Sequence, residues 1–142
     1  MFQDFKDLLS VFHVHGVKYL VVGGYAVSFH AQPRTTKDID LFVKADHTNA
    51  WALYAALAAF GAPLGDVTVE DLANPAKFIR FGREPAAIDR RVEGVIDNET
   101  GQTAFFISKD DLIASKLAAG RTRDLADVEE IREAESSQGR SD

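Results

Sequence analysis

Val22-Gly23-Gly24, followed after thirteen intervening residues by Asp38-Ile39-Asp40, constrains this chain more than any other stretch. Lys18 to Val22 is β-branched and aromatic, short, and cut off by the glycine pair, which predicts a buried strand running into a tight turn. Tyr25 to Ala31 then suits a short helix, broken before Pro33. Lys37 to Val43 alternates polar with apolar residues before turning wholly apolar, so it reads as a strand whose first half projects carboxylates and whose second half is buried. A strand, a glycine turn, a helix and a second strand are thus compressed into residues 18–43.

The flanking segments supply the layers such a unit needs. Phe2, Phe5, Leu8, Leu9 and Phe12 recur at helical spacing and predict a helix over 3–15 that stops at Gly16. A second long helix is expected over 48–60, ending at Gly61. Residues 61–75, punctuated by Pro63, Gly65 and Pro75, read as a loop with one helical turn at Val69–Ala73. Strands are expected at Lys77–Phe81, Ala86–Val92 and Ala104–Ile107, the last after the turn Asn98-Glu99-Thr100-Gly101. Ser108 with Asp111 resembles a capping box opening a helix from Lys109 to Ala119, and Leu125, Val128 and Ile131 mark a last helix. From Glu133 onward nothing is left to bury, so one domain over 1–133 and a disordered tail over 134–142 are expected.

The same residues pose a chemical question. On a strand, Asp38 and Asp40 project to one side with β-carbons about 6.5–7 Å apart. They can share a hard cation such as Mg²⁺ or Mn²⁺ that grips a substrate phosphate, or they can cap a turn and pair with Arg34 or Lys37. Gly23-Gly24 at a helix start can present backbone N–H groups to an anion, or can simply let the helix pack on the strand. Lys116 shares a helix face with Leu112 and Ile113, where a lysine either meets an anion or snorkels to water. Asp124 and Asp127, spaced i and i+3 and preceded by Arg121, are expected to brace the last two helices through ion pairs or to position a ligand.

Taken together, these residues resemble the DNA polymerase beta-type nucleotidyltransferases, whose hallmark is Gly-Gly or Gly-Ser at a strand-to-helix turn and Asp-hydrophobic-Asp on the next strand. Within that superfamily the chain looks most like the small AbiEii-like and minimal nucleotidyltransferases of bacteria. Arg34-Thr35-Thr36 leads into the aspartates, and Lys116-Leu117-Ala118-Ala119-Gly120-Arg121-Thr122-Arg123-Asp124-Leu125-Ala126-Asp127 follows near the C-terminus. The likeness covers residues 17–43 and 108–131, and between them rests on order and length. It implies an α/β (α+β) nucleotidyltransferase fold, a mixed β-sheet with helices packed against it in a single minimal domain. It also implies transfer of a nucleoside monophosphate from an NTP to an acceptor hydroxyl, on a protein or at a tRNA 3′ end, with a toxin or antitoxin protein as a further partner. Asp38 and Asp40 would hold Mg²⁺ or Mn²⁺ with a third carboxylate from a neighbouring strand, for which Ala87-Ile88-Asp89 is best placed. Arg90-Arg91 departs from the apolar continuation of similar proteins, so an ion-pair role stays open for Asp89, with Asp97 in a turn as the fallback. Gly23, Gly24, Arg34 and Lys116 would bind the nucleotide, and Arg121, Asp124 and Asp127 would stand close by.

Composition narrows the alternatives. Sixteen basic against 22 acidic residues leave a net charge of −6, which argues against a broad nucleic-acid groove. Five cations against two carboxylates over residues 77–91 leave a local +3 that could meet an acceptor's phosphates. The absence of cysteine excludes thiolate nucleophiles and disulfides, and the acidic start and lack of a long apolar run predict a cytoplasmic protein without a membrane span. The four histidines show no metal-ligand spacing, and Ser10 and Ser28 lack triad companions. A glycosyltransferase using Asp-x-Asp would need a longer chain. The rival from another class is a non-catalytic interaction module on the same fold, neutralising a partner by binding.

Overall fold

The computed structural model describes residues 1–74 and 84–139. Helix α1 (Gln3–His15) leads into strand β1 (Tyr19–Val22), which turns directly into α2 (Gly23–His30). Strand β2 (Asp40–Val43), α3 (His47–Phe60) and the single turn α4 (Val69–Ala73) follow, the last held by reciprocal capping between Thr68 and Asp71. Then come α5 (Glu84–Asp89), β3 (Val92–Val95), β4 (Thr103–Phe106), α6 (Lys109–Ala119) and α7 (Thr122–Gly139). Four strands form one mixed sheet in the order β2-β1-β4-β3, antiparallel except for the parallel β1–β4 seam. No described helix is long and apolar enough to cross a membrane.

The central strand explains the sheet. All four residues of β1 are buried, which suits a strand covered on both faces. Its seam with β4 is short, with Val21 opposite Phe106 and Ile107 N–H donating to Val21 O at 3.1 Å. The buried Tyr19 hydroxyl extends it by accepting from Phe105 N–H at 3.2 Å while lying 2.6 Å from His13 Nε2. Burial lifts that phenol to about 12, so it stays protonated and serves as a structural tie. At the other edge the buried Asn49 accepts from Lys18 N–H at 2.7 Å and donates to Lys18 O at 3.0 Å and Lys44 O at 2.8 Å. One side chain thereby ties the start of α3 to the adjoining ends of β1 and β2.

Three expectations change. The strand expected from Lys37 begins only at Asp40, because Asp40 pairs with Val22 and β1 goes no further. Beyond Val22 the chain has turned into α2, so residues 37–39 have no ladder to join. The expected strand Ala86–Val92 is instead the helix Glu84–Asp89 followed by β3 from Val92. Pro85 is at home in a helix's first turn, buried Ile88 anchors it, and the hairpin sets β3 by pairing Val92 with the last residue of β4. Lastly, α7 runs past Glu133 to Gly139, with Ala134, Glu135 and Gln138 supplying good helix formers beyond Ile131. The strand expected at Lys77–Phe81 lies outside the described residues.

Packing divides the helices by their neighbours. α1 packs on α3, and α3 on α4, while α6 and α7 pack on each other and on α2. That second group opposes the glycine turn and the start of β2.

Candidate active site

A cleft of about 820 Å³ opens between these two parts. One wall is the β1–α2 turn with residues 34–36 and 39–42, and the other is the α6–α7 corner. Gly23 sits at φ +68°, and a Cβ there would overlap Asp40 Oδ2 and lie 3.0 Å from Asp40 Cβ. A Cβ on Gly24 would press on Thr36 Oγ1 at 3.1 Å. The turn therefore needs a residue without a side chain on both counts, conformation and space. The N-cap residue Val22 has no capping side chain, and among the described residues no side chain bonds the first amides of α2, which leaves them for a ligand or water.

The acidic residues fall into two classes. Asp97 bonds Lys6 at 3.2 Å and accepts from the N–H groups of Glu99 and Thr100, so it closes the β3–β4 turn. Asp111 takes Arg90 through two hydrogen bonds of 2.6 and 3.1 Å. Asp38 and Asp40, by contrast, are exposed, and neither carboxylate has a hydrogen bond or ion pair with a described residue. Asp40 lines the cleft, whereas Asp38 lies two residues upstream, outside the lining and off the ladder that would have imposed a shared side. Asp89 is exposed at the end of α5 and does not line the cleft. Among the described residues, no group of three or more histidine or acidic side chains is placed to hold a metal ion.

Across the cleft runs a chain of ion pairs. Arg34 Nη2 donates to Asp127 Oδ1 at 2.9 Å and to Glu130 Oε2 at 2.8 Å. Lys116 Nζ reaches Asp127 Oδ2 at 3.0 Å and Asp124 Oδ1 at 3.5 Å. Arg121 Nε donates to Asp124 Oδ2 at 2.6 Å, and the Arg121 backbone N–H adds a bond of 3.2 Å. Asp124 is fully buried and Asp127 8% exposed, so both need these cations. The anion expected opposite Lys116 is thus supplied by the protein itself. Arg34, Lys116, Arg121, Asp124 and Asp127 are gathered beside Gly23, Gly24 and Asp40, and the ion pairs brace α6, α7 and the loop carrying Arg34. Sequence reasoning missed the Arg34–Asp127 link, because nothing local pairs residues 93 apart, and it assigned no role to Arg123 or Thr36, which also line the cleft.

The two buried carboxylates make an acid-labile joint. Hydrogen bonding from Arg121 holds Asp124 down at about 2. Burial pushes Asp127 up, but the bonds from Lys116 and Arg34 outweigh it and leave it lowered. In the unfolded chain such groups titrate at about 3.9, so between that value and the lowered ones the unfolded state binds more protons. Stability from this joint is complete above about pH 4 and is lost as pH falls towards the folded values. Below neutral pH the melting temperature is expected to fall gently as burial opposes protonation of His13 and His30, and more steeply below about pH 4 as this joint is lost, with Asp124→Asn lowering the curve above about pH 4 and flattening the steep drop. An unchanged profile in that variant would place the acid-sensitive joint elsewhere.

Of the basic strip, Arg90 is bound to Asp111, and Arg91 lies 4.6 Å over the Phe105 ring while donating to Ile88 O at 2.8 Å. Lys77, Arg80 and Arg83 lie outside the described residues. A family model described as "Nucleotidyltransferase of unknown function (DUF6036)" matches residues 1–135. No curated protein matches the chain.

Proposed function

The chain belongs to the DUF6036 nucleotidyltransferases, and on that premise we propose that it moves a nucleoside monophosphate from an NTP to an acceptor hydroxyl. The observation that carries this reading is the cleft in which the unpaired Asp40 carboxylate lies against Gly23, next to the uncapped start of α2. Asp38 and Asp40 offer hard oxygen donors without protein partners among the described residues, which fits Mg²⁺ or Mn²⁺. Such an ion would neutralise phosphate charge and lower the acceptor hydroxyl's pKa, its remaining ligands coming from phosphate oxygens and water. The chain's own residues bind and orient. The α2 amides receive phosphate oxygens, Arg34 on the near wall and Lys116 on the far one offer N–H donors whose charge is largely offset by Asp124, Asp127 and Glu130, and Gly23 leaves room for the Asp40 carboxylate. The hydroxyl oxygen forms the new bond to the α-phosphorus, the α–β anhydride bond breaks, pyrophosphate leaves, and the hydroxyl proton passes to a site carboxylate or water.

Likeness to the DNA polymerase beta-type superfamily and its AbiEii-like branch supports a protein hydroxyl or a tRNA 3′ end as acceptor, in a cytoplasmic toxin–antitoxin setting. A second reading, the non-catalytic partner-binding module, is favoured by one observation: no third carboxylate joins Asp38 and Asp40 among the described residues. Incubation with each α-phosphate-labelled NTP and Mg²⁺, with tRNA or the neighbouring gene's product, separates the two. Label transfer is expected, stopped by chelation and restored by Mg²⁺ or Mn²⁺. Asp89→Asn is expected to spare NTP binding; loss of transfer in that variant would make Asp89 the third carboxylate, and retained transfer would remove it. No transfer by the wild-type protein to any acceptor would leave the module.

A further inference from the structure

Four cations line the cleft among the described residues, and three of them are already engaged. Arg34 is paired to Asp127 and Glu130, Lys116 to Asp127 and Asp124, and Arg121 to Asp124. These pairs offset one another, so the network adds little free positive charge. Arg123 differs. It is exposed, lines the same cleft, and makes no hydrogen bond or ion pair with a described residue.

Its position is also poorly explained by helix stability. Arg123 stands in the first turn of α7, where the positive end of the helix dipole disfavours a cation and Asp124 alone suits the site. A guanidinium there has five donors and no acceptor capacity, and no described carboxylate, carbonyl or ring takes it up, so its donors are free for an anion or for water. The nearest chemistry able to use it is a phosphate chain seated between the α2 amides and the α7 corner, since phosphate oxygens accept from guanidinium in bidentate fashion.

We propose that Arg123 binds the phosphate chain of the nucleotide and sets the preference for triphosphate over shorter phosphates. The inference rests on the nucleotidyltransferase reading but concerns a different residue from those that position the metal. Because the base is unidentified, the probe is inorganic tripolyphosphate with Mg²⁺, compared with orthophosphate and with each NTP. Binding is measured calorimetrically on wild type, Arg123→Gln, Arg123→Lys and the Asp38→Asn/Asp40→Asn double variant, with thermal melting of each. Arg123→Gln is expected to melt as wild type does and to bind tripolyphosphate and NTP about tenfold more weakly, while orthophosphate binding is nearly unchanged. Arg123→Lys restores part of the loss, because a point charge replaces a fork.

Unchanged tripolyphosphate binding in Arg123→Gln, alongside loss in the double variant, overturns the role of Arg123 and leaves the nucleotidyltransferase reading standing. Equal weakening of orthophosphate and tripolyphosphate also overturns it, since the residue would then read charge without chain length. If wild type binds neither tripolyphosphate nor any NTP, both readings fall together. Weakened RNA binding with intact tripolyphosphate binding would assign Arg123 to the acceptor and likewise overturn the proposal.

Discussion

The Asp38→Asn/Asp40→Asn double variant is expected to fold as wild type does and to lose at least about 100-fold of its Mg²⁺-dependent NTP affinity, with transfer falling below detection. Asparagine keeps the volume of each side chain and removes only the charge. Neither carboxylate accepts a hydrogen bond or ion pair from a described residue, so the fold loses no partner. A hard divalent cation loses its two anionic ligands together, and the amide oxygens that remain are weaker donors. Calorimetric titration with Mg²⁺–NTP and with NTP alone separates the metal-dependent part from whatever the α2 amides and cleft cations bind without metal. Equal affinity in wild type and double variant would move the metal away from these residues. A collapsed melting temperature would instead show that the carboxylates hold the fold.

That stability and binding can be separated here follows from how the two groups of acids were made legible. Asp38 and Asp40 stood out because two like charges two residues apart need a cation, and the structure leaves both without a protein partner among the described residues. Asp124 and Asp127 announced themselves only as a helical i,i+3 pair, and their bracing role follows from burial and from Arg34 arriving out of a distant loop. Local signals carried furthest where one residue decides the backbone. Gly16, Gly61 and Gly120 end α1, α3 and α6 at positive φ, as their placement after apolar periodic runs predicts.

Signals failed where the outcome depends on a partner strand. Residues 37–39 alternate like a strand, yet β1 has already turned away at Gly23 and leaves them unpaired. Ile88 and Val92 read as one strand because both are apolar, but hairpin register admits only Val92 and its successors to the sheet. The sheet order, with β4 inserted beside β1, depends on contacts such as the Tyr19 hydroxyl with the Phe105 amide, which no local pattern encodes.

Gly23→Ala is the sharpest test of the cleft's geometry, and Gly16→Ala is its control. Both glycines sit at φ +68°, so each alanine pays the same left-handed strain of about 1 kcal/mol. Around Gly16 nothing lies within 4 Å of the added methyl, and the effect there ends with strain at the end of α1. At Gly23 the methyl overlaps the Asp40 carboxylate, which can rotate towards solvent because no described residue holds it. Rotation relieves the oxygen but not Asp40 Cβ, 3.0 Å from the added methyl, so a small shift of the strand adds a further cost of about 1 kcal/mol while the carboxylate is driven off its position against the turn. A displacement of about 1 Å at a reacting centre can lower rates by about 100-fold. Gly23→Ala should accordingly melt within a few degrees of Gly16→Ala while losing about 100-fold in transfer and a similar share of metal-dependent NTP binding, which Gly16→Ala keeps. Comparable activity in the two variants would mean that Asp40 works from another rotamer, and that its contact with the glycine turn is packing alone.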